Sequence, residues 1–201
     1  VEVKRLSIII FFVLLCLKTI NAQNQDFRIE QHQIANTADT ISYLTLIEKE
    51  AIKYLNLARL YPTQFVNLVL ENYKGPEGYA TIEKDNEYFK SLKKKLLQIK
   101  AMPALEFEKD LYENAKCFAV ETGKKGGEGH ERKLCLKKNY AECISYGMFS
   151  GKDIALQWLI DDGVPNFGHR EIVLNANYHK IGLSVHKHKK WKTCAVAEII
   201  W

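Results

Sequence analysis

Residues 161–175, DDGVPNFGHREIVLN, constrain the fold of this chain more than any other stretch. The apolar spacing of residues 154–160 reads as a helix. It cannot run on through Gly163 and Pro165, because glycine is flexible and proline lacks a backbone donor. Gly168 lets the backbone approach closely before His169, and residues 170–174 return to an apolar pattern. The expected product is a tight loop presenting two carboxylates, Asp161 and Asp162, and one imidazole, His169. Two comparable settings lie upstream. His130 follows three glycines in GGEGHER, and Glu142 opens the short apolar run AECISYG. His130, Glu142, Asp161 and His169 are expected to converge on one cleft.

Around that loop the chain divides into helices first and strands last. Residues 44–60 carry apolar positions Ile47, Ala51, Tyr54, Leu55 and Ala58 at helical spacing, with Thr45 and Glu48 as a capping box. Tyr61-Pro62 ends this helix, and Thr63 is expected to cap a second piece over residues 64–70. KGPEGYAT, residues 74–81, reads as a loop, followed by a lysine-rich helix over residues 87–98 with Phe89, Leu92 and Leu96 on one side. Residues 108–122 form the clearest helix, with Gly123 as its stop. Ser150 or Lys152 opens a helix carrying Ile154, Ala155, Trp158 and Leu159. A short strand is expected over residues 142–146, and a hairpin over residues 181–186 and 192–200 with a charged turn between. This order suits an α+β or three-layer α-β-α domain.

Residues 1–22 read as a secretory signal peptide: Lys4 and Arg5, then a 12-residue apolar run, then Ile20-Asn21-Ala22 before a cleavage point. The run falls short of the roughly 20 residues a spanning helix needs. Residues 23–40 are polar and read as a flexible lead-in, which leaves residues 41–201 as the domain. Removing residues 1–22 takes away three cations and one acid and leaves a net charge of +3. That is too mild to argue for nucleic acid. The lysines at 93–95 and at 187, 189 and 190 read as solvated faces, with a patch for acidic glycans or lipids as the alternative.

Four cysteines follow the signal: Cys117, Cys135, Cys143 and Cys194. An even number in an exported chain suggests two disulfides, and four cysteines allow three pairings. Cys135–Cys143 and Cys117–Cys194 are the pairings expected. A Cys/His zinc site is the rival, but the chain has no Cys-x-x-Cys.

Several motifs resemble the CAP superfamily, the SCP-like extracellular domain. GHRE at 168–171 is similar to its Gly-His-Arg/Tyr signature. ECISYG at 142–147 resembles its Gly-Glu-Asn-Ile segment. WLIDDGVP at 158–165 before GHR looks like a subgroup of the superfamily. NLARLYP at 56–62 resembles its first-helix Asn-x-x-Arg-x-x-Pro pattern. The resemblance implies an α-β-α sandwich and a buried structural arginine at Arg59. It also implies a His/acid/acid/His cavity able to hold Zn²⁺ or another divalent metal through His130 and His169. The cavity acids would be Glu142 and, three residues after Trp158, Asp161. Here an aspartate stands in place of the usual glutamate, and Ala141 and Cys143 flank Glu142 in place of Gly and Asn. Asp162 is the alternative acid.

Each residue also has a structural reading. His169 can bond loop backbone, Glu142 can pair with Arg170 or cap a turn, and Glu171 reads as a surface acid. His179, His186 and His188 read as surface or hairpin residues. HExxH and Gly-x-Ser-x-Gly are absent. Three functions follow. The first is a secreted or periplasmic binding module for a lipid, sterol, glycan or protein, with peripheral membrane contact as an option. The second is a metal-dependent hydrolase with Glu142 as general base. The third is a structural cell-envelope protein.

Overall fold

The computed structural model describes residues 26–201. The signal peptide expected over residues 1–22 lies outside the described residues. Among those described, no helix is long and apolar enough to cross a membrane.

Helix α1, Ile29–Ala35, precedes α2, Leu46–Leu60. The stretch expected as a flexible lead-in therefore carries a helix. Phe27, Gln31, Ala35 and Ala38 are buried, and Gln31 Nε2 donates to Gln64 Oε1 at 2.6 Å. Apolar positions this sparse show no periodicity, which is why the helix is hidden in the sequence. The capping box of α2 is as expected, with Thr45 accepting from Glu48 N and Glu48 accepting from Thr45 N. The other oxygen of Glu48 accepts from Ser184 Oγ at 3.1 Å and Val185 N at 2.9 Å. One carboxylate thus caps a helix and ties it to a strand.

Helix α3, Pro62–Phe65, continues as a π-turn, Val66–Leu70. Its N-cap is Tyr61 and no side chain caps it, so Thr63 sits inside the helix instead of capping it. Pro62 at the first position has no amide hydrogen to leave unsatisfied. Helix α4, Glu87–Gln98, buries Phe89, Leu92 and Leu96, and Asn86 accepts from Tyr88 N and Phe89 N. Strand β1 is Glu106–Phe107 and α5 is Lys109–Lys125. Gly123 does not stop α5. Gly126 does, in the left-handed conformation at φ 72°.

Strand β2, Ala141–Tyr146, is followed by α6, Gly151–Ile160, and α7, Gly168–Val173. The hairpin β3, Lys180–His188, and β4, Lys192–Ile200, completes a mixed sheet of order β1-β3-β4-β2. Helix α5 covers one face, and α2, α6 and α7 cover the other, giving the α-β-α sandwich. Two glycines let α5 lie against β3. A Cβ on Gly182 would fall 1.9 Å from Tyr112 N, and one on Gly123 would fall 2.2 Å from Lys187 O.

Arg59 is buried as the resemblance implies. It donates to the carbonyls of Pro103, Val173, Asn175 and Tyr178, joining α2 to the loop before β3. Asn56 bonds Ala35 O and both backbone groups of Leu105.

The disulfide is Cys117–Cys135, and Cys143 and Cys194 are free and buried. Both expected pairings are therefore corrected. The β2–β4 register sets Cys143 against Ala197 and Tyr146 against Cys194. Side chains alternate along a strand, so the two thiols lie on opposite faces of the sheet. Cys194 is under α5 with Ala115, Phe118 and Ala119. Cys117 is on the outer side of α5, away from Cys194 and beside the loop that carries Cys135.

Candidate functional site

The four residues form two imidazole–carboxylate pairs. His130 Nδ1 lies 2.7 Å from Glu142 Oε1. His169 Nδ1 lies 2.7 Å from Asp161 Oδ1. No hydrogen bond or ion pair joins one pair to the other among the described residues. Glu142 stands on the α5 face of β2, in register with Glu198. Cys143, the next residue, points to the opposite face, where its Sγ is 3.9 Å from His169 O. The Glu142 carboxylate thus lies on the α5 face of β2, the edge strand, and the backbone of His169 on the other.

Local backbone explains the second pair. Asp161 ends α6 in the left-handed region at φ 59°. From there its carboxylate reaches the start of α7 and accepts from His169 N at 3.0 Å and Arg170 N at 3.2 Å. Asp161 thus caps α7 and holds the ring of its second residue. Asp162 plays no part in this. It is exposed, and its Oδ2 accepts from Asn86 Nδ2 at 3.4 Å.

The first pair belongs to a larger buried network that no sequence motif announces. Arg132 NH2 bridges Glu142 and Glu198, and NH1 donates to Asn114 Oδ1. The guanidinium carbon of Arg132 is 4.2 Å from the centre of the Phe118 ring. Burial pushes the Glu142 carboxyl up, but the His130 hydrogen bond and the Arg132 charge outweigh it and hold the group low. Glu198 goes the other way. Burial, then repulsion from Glu142, raises it against the pull of Arg132. Glu142 does not pair with Arg170, which instead donates to Leu159 O, Ile160 O, Tyr88 O and Ser91 Oγ.

His188 ends the first hairpin strand and is buried. Its Nδ1 accepts from Lys190 N and Trp191 N, so Nε2 carries the proton and donates to Gly127 O at 2.9 Å. This fixes the hairpin turn and the start of Trp191. His179 is exposed and His186 half-buried, as expected of hairpin residues. Glu171 is an exposed acid paired with Lys95 at 3.2 Å.

Beside α6 and the end of β2 lies a cavity of about 480 Å³. Tyr73, Tyr79, Ile82, Tyr146, Met148 and Trp191 line it, with Asp162 at its wall. The aromatic tips are already engaged. Tyr73 OH donates to Asp153, Tyr79 OH to Gly147 O, and Trp191 Nε1 to Glu128, while Tyr146 OH accepts from Gly129 N. What faces the cavity is therefore mostly ring and aliphatic surface. Tyr79 and Ile82 come from the segment between α3 and α4, which forms one wall.

The model of the cysteine-rich secretory protein family, CAP, matches residues 53–199. This chain belongs to that family. The CAP match spans all four residues of the two pairs. Among solved structures, the CAP chain is similar to an outer surface protein from Borrelia burgdorferi, at 20% identity and a TM-score of 0.40. That alignment covers 59% of this chain and 94% of the Borrelia protein. No curated protein matches the CAP chain.

Proposed function

We propose that this chain is an extracellular CAP binding module whose cavity takes an apolar, lipid-type ligand. The cavity wall carries the reading. Its volume falls within the roughly 300–1,000 Å³ of small-molecule sites, which are mostly apolar and aromatic. With the aromatic tips engaged most of the wall is apolar, and Glu128, Gln157 and Asp162 supply its polar part. Lipid extraction from the purified protein, followed by mass spectrometry, tests this. A co-purifying or rebinding apolar ligand should weaken about tenfold in Tyr79→Ala or Trp191→Ala. Retention of no sterol, fatty acid or other apolar molecule at stoichiometric load would sink the proposal.

A metal reading has support of its own. Each histidine gives Nδ1 to a carboxylate and has no hydrogen bond at Nε2 among the described residues. Metal-ligating histidines are commonly buttressed this way by an outer carboxylate. His130 and His169 would be the ligands, with Glu142 and Asp161 orienting them. The donor set fits only in part, since no group of three or more His, Cys, Asp or Glu among the described residues could hold a metal. A divalent metal there would supply Lewis acidity. Glu142 is poorly suited to be a general base, because His130 takes one of its oxygens and Arg132 the other. Zinc titration by calorimetry, with His130→Ala and His169→Ala, tests the pair. Uptake unchanged in both variants overturns it.

A further inference from the structure

The segment before β2, residues 131–138, reads ERKLCLKK. Its backbone is pinned at successive positions. The Glu121 carboxylate, 2% exposed, accepts from the amides of Lys133 at 2.6 Å, Leu134 at 3.0 Å and Cys135 at 2.9 Å. Asn114 Nδ2 donates to Leu136 O at 3.0 Å. Arg132 is locked between Glu142 and Glu198, and Cys135 is covalently tied to Cys117. A segment held this firmly would be expected to bury its leucines. It does the opposite: Leu134 is 83% exposed and Leu136 71%. The bend at residues 133–135 folds three amides onto Glu121, and it leaves Cys135 buried and Leu134 and Leu136 exposed.

Lys133, Lys137 and Lys138 surround the two leucines and are exposed, with no carboxylate within ion-pair distance among the described residues. Glu131 is the lone exposed acid in the segment. We propose that this tip docks the protein on a membrane surface rich in anionic lipid. Leu134 and Leu136 enter the acyl boundary, and the three lysines meet the headgroups. The small size of the tip favours a bilayer over a protein partner. Two exposed leucines fall far short of the roughly 800 Å² per side of a stable protein interface. Interfacial anchoring needs only a few inserted apolar groups plus cations against anionic lipid. The tip lies apart from the cavity lining, so the proposal does not depend on the ligand reading.

Sedimentation with phosphatidylcholine vesicles, with and without a third of phosphatidylserine, tests it on the disulfide-intact protein. Binding to the anionic vesicles alone, weakened by salt, is expected. Leu134→Ser with Leu136→Ser should cut partitioning at least tenfold without lowering Tm, since neither side chain packs in the core. Replacing the three lysines with Gln should cost roughly fivefold per lysine. Absence of binding to anionic vesicles, or binding untouched by the double serine change, overturns the proposal. Self-association that the serine variant abolishes, without vesicle binding, would show a protein interface and overturn it equally.

Discussion

Glu142 and Glu198 stand opposite each other across the β2–β4 ladder and share one guanidinium, that of Arg132. Two like charges side by side are tolerable there only because one carboxyl yields. Glu142, also bonded to His130, keeps its charge, and Glu198 is raised to about 8. A carboxyl raised in the fold adds stability that is fully present below its ordinary value of 4.5 and is lost as pH climbs through about 8. The contribution of Glu198 to thermal melts should therefore fall between pH 4.5 and about 8 in the parent protein. In Glu198→Gln the same limb should flatten. A parallel decline in both would refute the assignment.

Glu121 governs the acid side. Burial opposes its ionisation, but Lys125 and the amides of residues 133–135 win and hold it down at about 2. A depressed carboxyl gives stability above its ordinary value that disappears as pH drops towards the folded value. Glu121→Gln should remove part of the acid limb between pH 4.5 and about 2. It should also raise amide exchange at Lys133, Leu134 and Cys135, which hydrogen-exchange mass spectrometry would follow.

Arg132→Met would leave Glu142 and Glu198 facing each other without a cation. Breaking a buried pair from one side costs about 3–5 kcal/mol. The urea midpoint should fall accordingly, and Glu198→Gln in the same chain should restore part of it. An additive double variant would contradict the shared-cation network.

The contact between α5 and β3 tolerates no methyl at two points. Gly182→Ala puts a carbon on Tyr112 N, and Gly123→Ala puts one on Lys187 O. Each should cost about 1–3 kcal/mol, since overpacking moves backbone and not a flexible side chain. Equilibrium unfolding in urea would measure it. Near-neutral substitutions would mean that α5 sits further from β3.

The thiols offer a chemical check. Burial pushes Cys143 up, and takes Cys194 up to about 12, so neither presents a thiolate at neutral pH. Both should resist a disulfide reagent in the native protein and react once urea unfolds it. Serine at Cys117 and Cys135 together should cost about 2–4 kcal/mol.

Local signals were legible in the sequence and distant ones were not. The Thr45/Glu48 box, the helix over residues 87–98, Pro62 and the late hairpin all rest on neighbours in the chain, so spacing revealed them. The motif resemblance named Arg59 and both histidines, whose rings each lie 2.7 Å from a carboxylate, a pairing that no spacing in the sequence indicates. Hidden were contacts made across long separations. Arg132 meets Glu198 66 positions away, and His188 meets Gly127 at 61. The cysteine pairings failed because they depend on which face of a strand each thiol occupies, and register is set by pairing and not by count.

That register has a consequence for which cysteines can be bridged. A chain with Cys143 bridged to any other cysteine cannot zip β2 onto β4 and still bury its neighbours, and the same holds for Cys194. The finished sheet keeps two sulfurs on opposite sides of a barrier and, among the described residues, leaves Cys117 and Cys135 to each other.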